Sequence, residues 1–175
     1  MKPIFLTGFM GSGKTTVGSL LGEELDLPVI DTDHLIEETY GKTVAEIFAE
    51  DGEAVFRSYE AAILAELPKE DAVITTGGGL AVSAENRKFM MENGFVIFLS
   101  CSLETIFERL KEDTSRPLFN QKKKKEMQKL FEARLPFYRD CHWALETGGC
   151  DPEEAAERIA ARLKRSEMGY TGDKR

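Results

Sequence analysis

The chain reads as a parallel three-layer α/β/α domain, and three observations predict that class. Short apolar runs alternate with helical stretches along the whole length, the rhythm of strand–helix–strand units in a parallel sheet. Phe95-Val96-Ile97-Phe98-Leu99 is apolar without polar alternation, as in a strand covered on both faces. Gly8-Phe9-Met10-Gly11-Ser12-Gly13-Lys14-Thr15 stands between the apolar run Pro3–Thr7 and a helical pattern opening at Thr16. That strand–loop–helix setting is where G-x-x-x-x-G-K-[ST] grips phosphate.

Taken in order, Pro3–Thr7 is the first strand, and Val29–Asp31, after the break at Leu27-Pro28, is the second. His34–Tyr40 and Val44–Ala49 read as short helices with Gly41 between them. A longer helix is expected from about Gly52 to Leu67, with Val55, Tyr59, Ile63 and Leu67 as its apolar face and Pro68 as its stop. Ala72–Thr75 is the third strand and runs into Gly77-Gly78-Gly79. Ser83 N-caps the next helix, with Asn86 where a capping-box acid would stand, and Gly94 closes it. Phe95–Leu99 is the fourth strand, and Leu103–Leu110 is helical. Asp113–Gln121 is polar, contains Pro117 and needs no regular element. A helix from about Lys122 to Phe131 or beyond is expected to be interrupted near Pro136. Trp143–Thr147 is the fifth strand, and Pro152–Leu163 the last helix, with proline in its first turn. Ser166–Arg175 reads as a frayed, disordered polar tail, leaving residues 1–165 as a single domain.

At 175 residues the chain is long enough to bury a substantial core, and 42% hydrophobic with 31% charged residues is a globular composition. The net charge of −8 argues against a nucleic-acid surface, so an anionic ligand would have to be held by particular arginines. No apolar run reaches membrane-spanning length, and no signal peptide precedes the first strand. Cys101, Cys141 and Cys150 have no metal-ligand spacing, and their odd number suits a reducing compartment. A cytoplasmic location is expected.

Ligands of an open parallel sheet bind at the carboxyl ends of its strands. Four features fall there: the phosphate loop, Asp31-Thr32-Asp33, Gly77-Gly78-Gly79 and the segment after Thr147. Glycines let backbone N–H groups curl round a phosphate, and the helix start adds partial positive charge. Lys14 can reach the β- and γ-phosphates, while the Thr15 hydroxyl can ligate Mg²⁺. Asp31 and Asp33 can project to one side, dividing metal anchorage from acceptance of a hydroxyl proton. The alternative is that Asp33 merely N-caps the helix beginning at His34. The glycine run admits a small ligand to the backbone, or is a tight turn and no more. Arg57 lies near an apolar stripe, where a surface role is commoner; Arg116 could swing over a nucleotide; Arg134 is ambiguous by spacing. His34 and His142 have no partners at metal or triad spacing and are read as structural. The cysteines are read as inert packing residues, Trp143 as core, and Lys122–Lys125 as a solvated helix start.

Together these residues resemble the shikimate kinases, small P-loop kinases of aromatic amino-acid biosynthesis. The resemblance runs from about Ile4 to Leu163 and rests on six motifs in order. They are G-x-x-G-x-G-K-T at Gly8–Thr15, D-x-D at Asp31–Asp33 and G-E-x-x-F-R-x-x-E at Gly52–Glu60, then G-G-G at Gly77–Gly79, R-P-L at Arg116–Leu118 and R-x-P-x-Y at Arg134–Tyr138. The resemblance implies a nucleoside-monophosphate-kinase-like sheet of five parallel strands in order 2-3-1-4-5. It also implies substrate-binding helices at about 34–60 and a mobile lid at about 113–121.

Position by position, the resemblance implies that Gly11, Ser12, Gly13, Lys14, Thr15 and Thr16 hold ATP. Thr15 and Asp31 hold Mg²⁺, Asp31 largely through water, and Asp33 receives the shikimate hydroxyls as the candidate base. Arg57 and Arg134 grip the shikimate carboxylate with backbone help from Gly78 and Gly79. Lys14 and Arg116 neutralise the transferring phosphoryl group, and Arg109 and the turn around Pro152 flank adenine. Two departures stand out: Cys141-His142 replaces a usual small apolar residue, and the lid ends in a lysine run. Neither touches a named role, although the second could change lid mobility.

The expected activity is ATP-dependent phosphorylation of the shikimate 3-hydroxyl by a monomer, giving shikimate 3-phosphate and ADP. Two alternatives stay open at this point. One is another small-molecule kinase of this fold, such as a gluconate kinase, against which Arg57, Arg134 and the D-x-D speak. The other is a non-catalytic binding relative, against which the presence of Lys14, Asp33 and Arg116 speaks.

Overall fold

The sheet has five parallel strands: β1 (Ile4–Thr7), β2 (Val29–Asp31), β3 (Val73–Thr75), β4 (Phe95–Ser100) and β5 (Trp143–Glu146). Their spatial order, β2-β3-β1-β4-β5, is the expected one. The computed structural model describes residues 1–112 and 121–170. Of the expected lid at about 113–121, residues 113–120, Arg116 among them, lie outside the described residues, as do the terminal residues 171–175. Register places Asp31, Thr75, Leu6 and Ile97 in one row across the sheet, so the strand ends that carry the motifs are level.

Around the sheet lie α1 (Lys14–Leu25), α2 (Thr32–Tyr40), α3 (Val44–Glu50), α4 (Glu53–Glu66), α5 (Ala84–Asn93), α6 (Leu103–Glu112), α7 (Gln121–Tyr138) and α8 (Pro152–Tyr170). A 3₁₀ turn, Leu80–Val82, precedes α5. Successive residues of a strand face opposite layers, and the two cores divide accordingly. Ile4, Leu6, Ile97 and Leu99 pack against Val17 and Leu21 of α1 and Ile159 and Leu163 of α8. Phe5, Val96 and Phe98 face the other core, with Ile36, Phe56, Met90, Ile106 and Tyr138.

The departures from expectation have local causes. The buried face of α4 is Phe56, Glu60, Ile63 and Leu64, so it is rotated from the expected stripe. Val55 and Tyr59 are only half-buried, and Tyr59 stacks on Tyr40 of α2. A carboxylate occupies the core stripe because Arg57, three residues earlier, pairs with it. Helix α7 runs through Pro136 to Tyr138 instead of breaking. Burial of Tyr138 against Phe98 holds the last turn in place, and Pro136 and Glu132, whose carbonyl the proline cannot serve, are both exposed to water. Helix α8 continues past Leu163 to Tyr170, so the expected tail begins inside a helix. Ser83 caps α5 as expected, accepting from the Asn86 N–H.

Candidate active site

The phosphate loop leaves β1 through three glycines with positive φ, Gly8, Gly11 and Gly13, a conformation that L side chains resist. Helix α1 starts at Lys14, and no side chain caps it, so its first N–H groups open toward the loop. Lys14 Nζ folds back over the loop, donating to the carbonyls of Gly8 at 2.8 Å and Phe9 at 3.0 Å. Thr15 and Thr16 are exposed, and with Gly11, Gly13 and Lys14 they line a cleft of about 470 Å³. Ser12 does not reach this surface. Its hydroxyl is buried with no partner among the described residues, and its N–H donates to the Phe9 carbonyl.

The opposite wall of the cleft is formed by Asp31, Asp33 and Thr76-Gly77-Gly78. Helix α2 begins at Thr32, two residues earlier than expected, and its N-cap is Asp31 rather than Asp33. Asp31 Oδ1 accepts the N–H groups of Asp33 and His34, both at 3.0 Å, and Oδ2 accepts the Thr75 hydroxyl at 2.8 Å. A carboxylate offers about four acceptor positions. Three are used inside the protein, which leaves one on Oδ2, and that donor set fits a metal ion held through water beside the Thr15 hydroxyl.

Asp33 is thereby released from capping. Its Oδ1 is buried with no partner among the described residues, and it lies so close to Gly77 that any Cβ there would overlap the carboxylate. Burial pushes the Asp33 carboxyl above the ordinary range; Asp31 adds to the rise, and Lys14 opposes it.

Arg57 and Arg134 stand behind the glycine run and do not line the cleft itself. The Arg57 guanidinium lies against Gly79, where a Cβ would overlap it, and Arg134 Nη1 lies 3.5 Å from the corresponding point of Gly78. The structure therefore brings both arginines to adjacent residues of one turn. Arg57 donates to Glu60 Oε2 at 2.7 Å and to Glu53 Oε1 at 3.1 Å. Burial works against its charge, but Glu60 and Glu53 outweigh it and hold its pKa above the usual value. Burial pushes Glu60 up, against Arg57, because the second carboxylate oxygen is buried with no partner. Glu60 is a site residue that the motif reading left without a role; its R-x-x-E spacing to Arg57 was the available signal.

Arg109 reaches across from α6 and donates to the carbonyls of Gly11 and Thr147, both at 3.0 Å. The buried Thr147 hydroxyl lies 3.3 Å from the Ser12 carbonyl and 3.1 Å from that of Ser100, tying the segment after β5 to the phosphate loop. Pro152 is exposed at the start of α8 and lies outside the cleft lining. None of the residues read as structural lines the cleft. His142 Nδ1 accepts from the Val96 N–H, His34 sits at the surface beside Glu38, and burial raises the thiol pKa of Cys101, Cys141 and Cys150. Trp143 is half-buried, with the Arg162 guanidinium over its ring.

A family model described as shikimate kinase matches residues 10–164. A shikimate kinase of Bacillus cereus (strain G9842) is 50% identical over 147 residues, 84% of this chain and 89% of that one. One from Bacillus cereus (strain AH187) is 50% identical over 163 residues, 93% and 99% of the two chains. Among solved structures, shikimate kinase from Acinetobacter baumannii in complex with shikimate superposes with a TM-score of 0.86 at 35% identity, covering 95% of this chain and 94% of that one. A gluconokinase from Sinorhizobium meliloti 1021 gives 0.60 at 19% identity over 98% of each chain, a likeness of fold alone.

Proposed function

The chain belongs to the shikimate kinase family, and from that premise we propose how its residues share the phosphorylation of the shikimate 3-hydroxyl by ATP. The observation that carries the reading is the placement of Arg57 and Arg134 on neighbouring glycines beside Asp33 and Gly77. A carboxylate seated on the two guanidiniums at the glycine turn lies next to the half-buried Asp33 and the phosphate loop. Anionic recognition in a chain of net charge −8 needs such a local concentration of cations.

Gly11, Gly13, Lys14, Thr15 and Thr16, with the open N-terminus of α1, hold the phosphates of ATP, and Ser12 supports the loop from beneath. Arg109 and the Pro152 turn flank the adenine. Thr15 and Asp31 would hold Mg²⁺, which when bound offsets charge between the β- and γ-phosphates. The shikimate 3-hydroxyl oxygen attacks the γ-phosphorus, the bond to ADP breaks, and Asp33 takes the hydroxyl proton. Burial suits Asp33 to that task, because a raised pKa makes its carboxylate a stronger base. Lys14 and, from its R-P-L motif, Arg116 neutralise the group in transit. Work in the cytoplasm fits three free cysteines whose thiols stay protonated.

The test is ADP release over a panel of hydroxy acids with phosphorus NMR of the product. Shikimate is expected to support turnover with the phosphate on O3. Faster turnover of gluconate, or release of ADP independent of any acceptor, would overturn the proposal.

A further inference from the structure

Tyr138 heads the fully buried side chains by size, at 1% exposure, and it carries a hydroxyl into that burial. Its ring stacks on Phe98 of β4 with centroids 5.4 Å apart, and its hydroxyl donates to the carbonyl of Gly78. Arg134, one helical turn earlier on α7, lies beside the same glycine, with Nη1 3.5 Å from where a Gly78 Cβ would stand. The Tyr138 hydroxyl thus meets the Gly78 peptide where the Arg134 cation lies against it.

The hydroxyl is not what docks the end of α7. Arg87 does that from outside, donating through Nε to Asp140 at 3.1 Å and through Nη1 to the carbonyls of Ala81 and Val82 at 2.8 and 2.9 Å. Its guanidinium also covers Phe137, 4.8 Å from the ring centre. With docking supplied by Arg87 and the Phe98 stack, the hydroxyl is left to set the orientation of one peptide plane. Between two glycines that plane has little to hold it. In a planar trans peptide the carbonyl and the following N–H point in opposite directions. Holding the Gly78 carbonyl toward Tyr138 therefore fixes the direction of the Gly79 N–H as well. Among the described residues, neither the Gly78 nor the Gly79 N–H has a partner.

We infer that Tyr138 is a positioning residue for the anionic substrate: its hydroxyl fixes the Gly78–Gly79 peptide beside the Arg134 guanidinium, so that backbone N–H and cation form one carboxylate-binding array. The inference rests on the reading of Arg57 and Arg134 as the carboxylate clamp.

Tyr138→Phe keeps the ring and its stack and removes only the hydroxyl. Calorimetry should show the shikimate Kd rising about three- to tenfold, the range for one lost hydrogen bond, with KM for shikimate following. The ATP Kd and kcat should stay within about twofold. Arg87→Gln, which loosens the same helix end without touching the hydroxyl, should lower the melting temperature and leave the shikimate Kd within about twofold. Equal losses of stability and shikimate affinity in the two variants would make the hydroxyl a docking group and overturn the inference. Arg134→Ala, measured alongside, separates the two levels. If it weakens shikimate binding and Tyr138→Phe does not, the inference fails and the clamp stands. If Arg134→Ala leaves shikimate binding intact, the clamp fails and the inference with it.

Discussion

Asp31 caps the helix that carries Asp33: its Oδ1 accepts the Asp33 N–H at 3.0 Å. The two acids of the D-x-D therefore hold different posts, one fixed in a hydrogen-bond network and one with a buried, unpartnered oxygen. Replacement of Asp31 should separate capping from metal anchorage. Asp31→Ala should cost about 1 kcal/mol of stability as a lost N-cap. Asp31→Asn, which still caps, should melt near the wild-type temperature while the Mg²⁺ concentration for half-maximal rate rises. A normal Mg²⁺ requirement in Asp31→Asn would leave Asp31 as a cap alone.

Asp33→Asn should lower kcat by at least about a hundredfold, the lower end of a general-base contribution. Stability should move the other way. A carboxyl whose folded pKa lies above its unfolded value, here 3.8, binds its proton more tightly in the fold. Its contribution is fully present below pH 3.8 and is lost as pH rises through the folded pKa. Asparagine does not ionise, so the variant should melt higher than wild type at neutral pH and lose that advantage in acid. The acidic limb of the wild-type pH–rate profile should lie above 3.8 for the same reason. A variant that keeps half the wild-type kcat would remove Asp33 from the chemistry.

Most of this arrangement is legible in the sequence where short-range rules decide. The glycine spacing from Gly8 to Gly13 dictates the phosphate loop, and the unalternating Phe95–Leu99 run lies at the heart of the sheet. The second strand ends at Asp31 as read, which places the D-x-D at the cleft. What local rules miss is set by side-chain contacts, within one helix and between distant segments. Burial of Tyr138 carries α7 through a proline that would otherwise break it. Pairing with Arg57 lets Glu60 occupy the core stripe of α4, rotating the helix from the face that hydropathy alone selects. The choice of Asp31 over Asp33 as cap depends on the Thr75 hydroxyl, 44 residues away on β3.

Two glycines allow the acid and the clamp to be perturbed separately. An alanine Cβ at position 77 would overlap the Asp33 carboxylate, and at position 79 the Arg57 guanidinium. Gly79 has φ −97°, which alanine adopts freely, so the expected effect is displacement of the arginine and not backbone strain. Gly79→Ala should raise the shikimate Kd by about tenfold with little change in melting temperature, whereas Gly77→Ala should act mainly on kcat. Equal effects of both substitutions on both quantities would contradict the division of labour.

The central claim is that Arg57 and Arg134 together bind the carboxylate of shikimate, and separate calorimetric titrations of Arg57→Ala and Arg134→Ala with each ligand test it most directly. A hydrogen bond to a charged group contributes about 1.5–3 kcal/mol, so either substitution should weaken shikimate binding by about ten- to a hundredfold. ATP affinity measured without shikimate should hardly move. Loss of ATP binding with shikimate binding intact would place these arginines at the nucleotide and contradict the account.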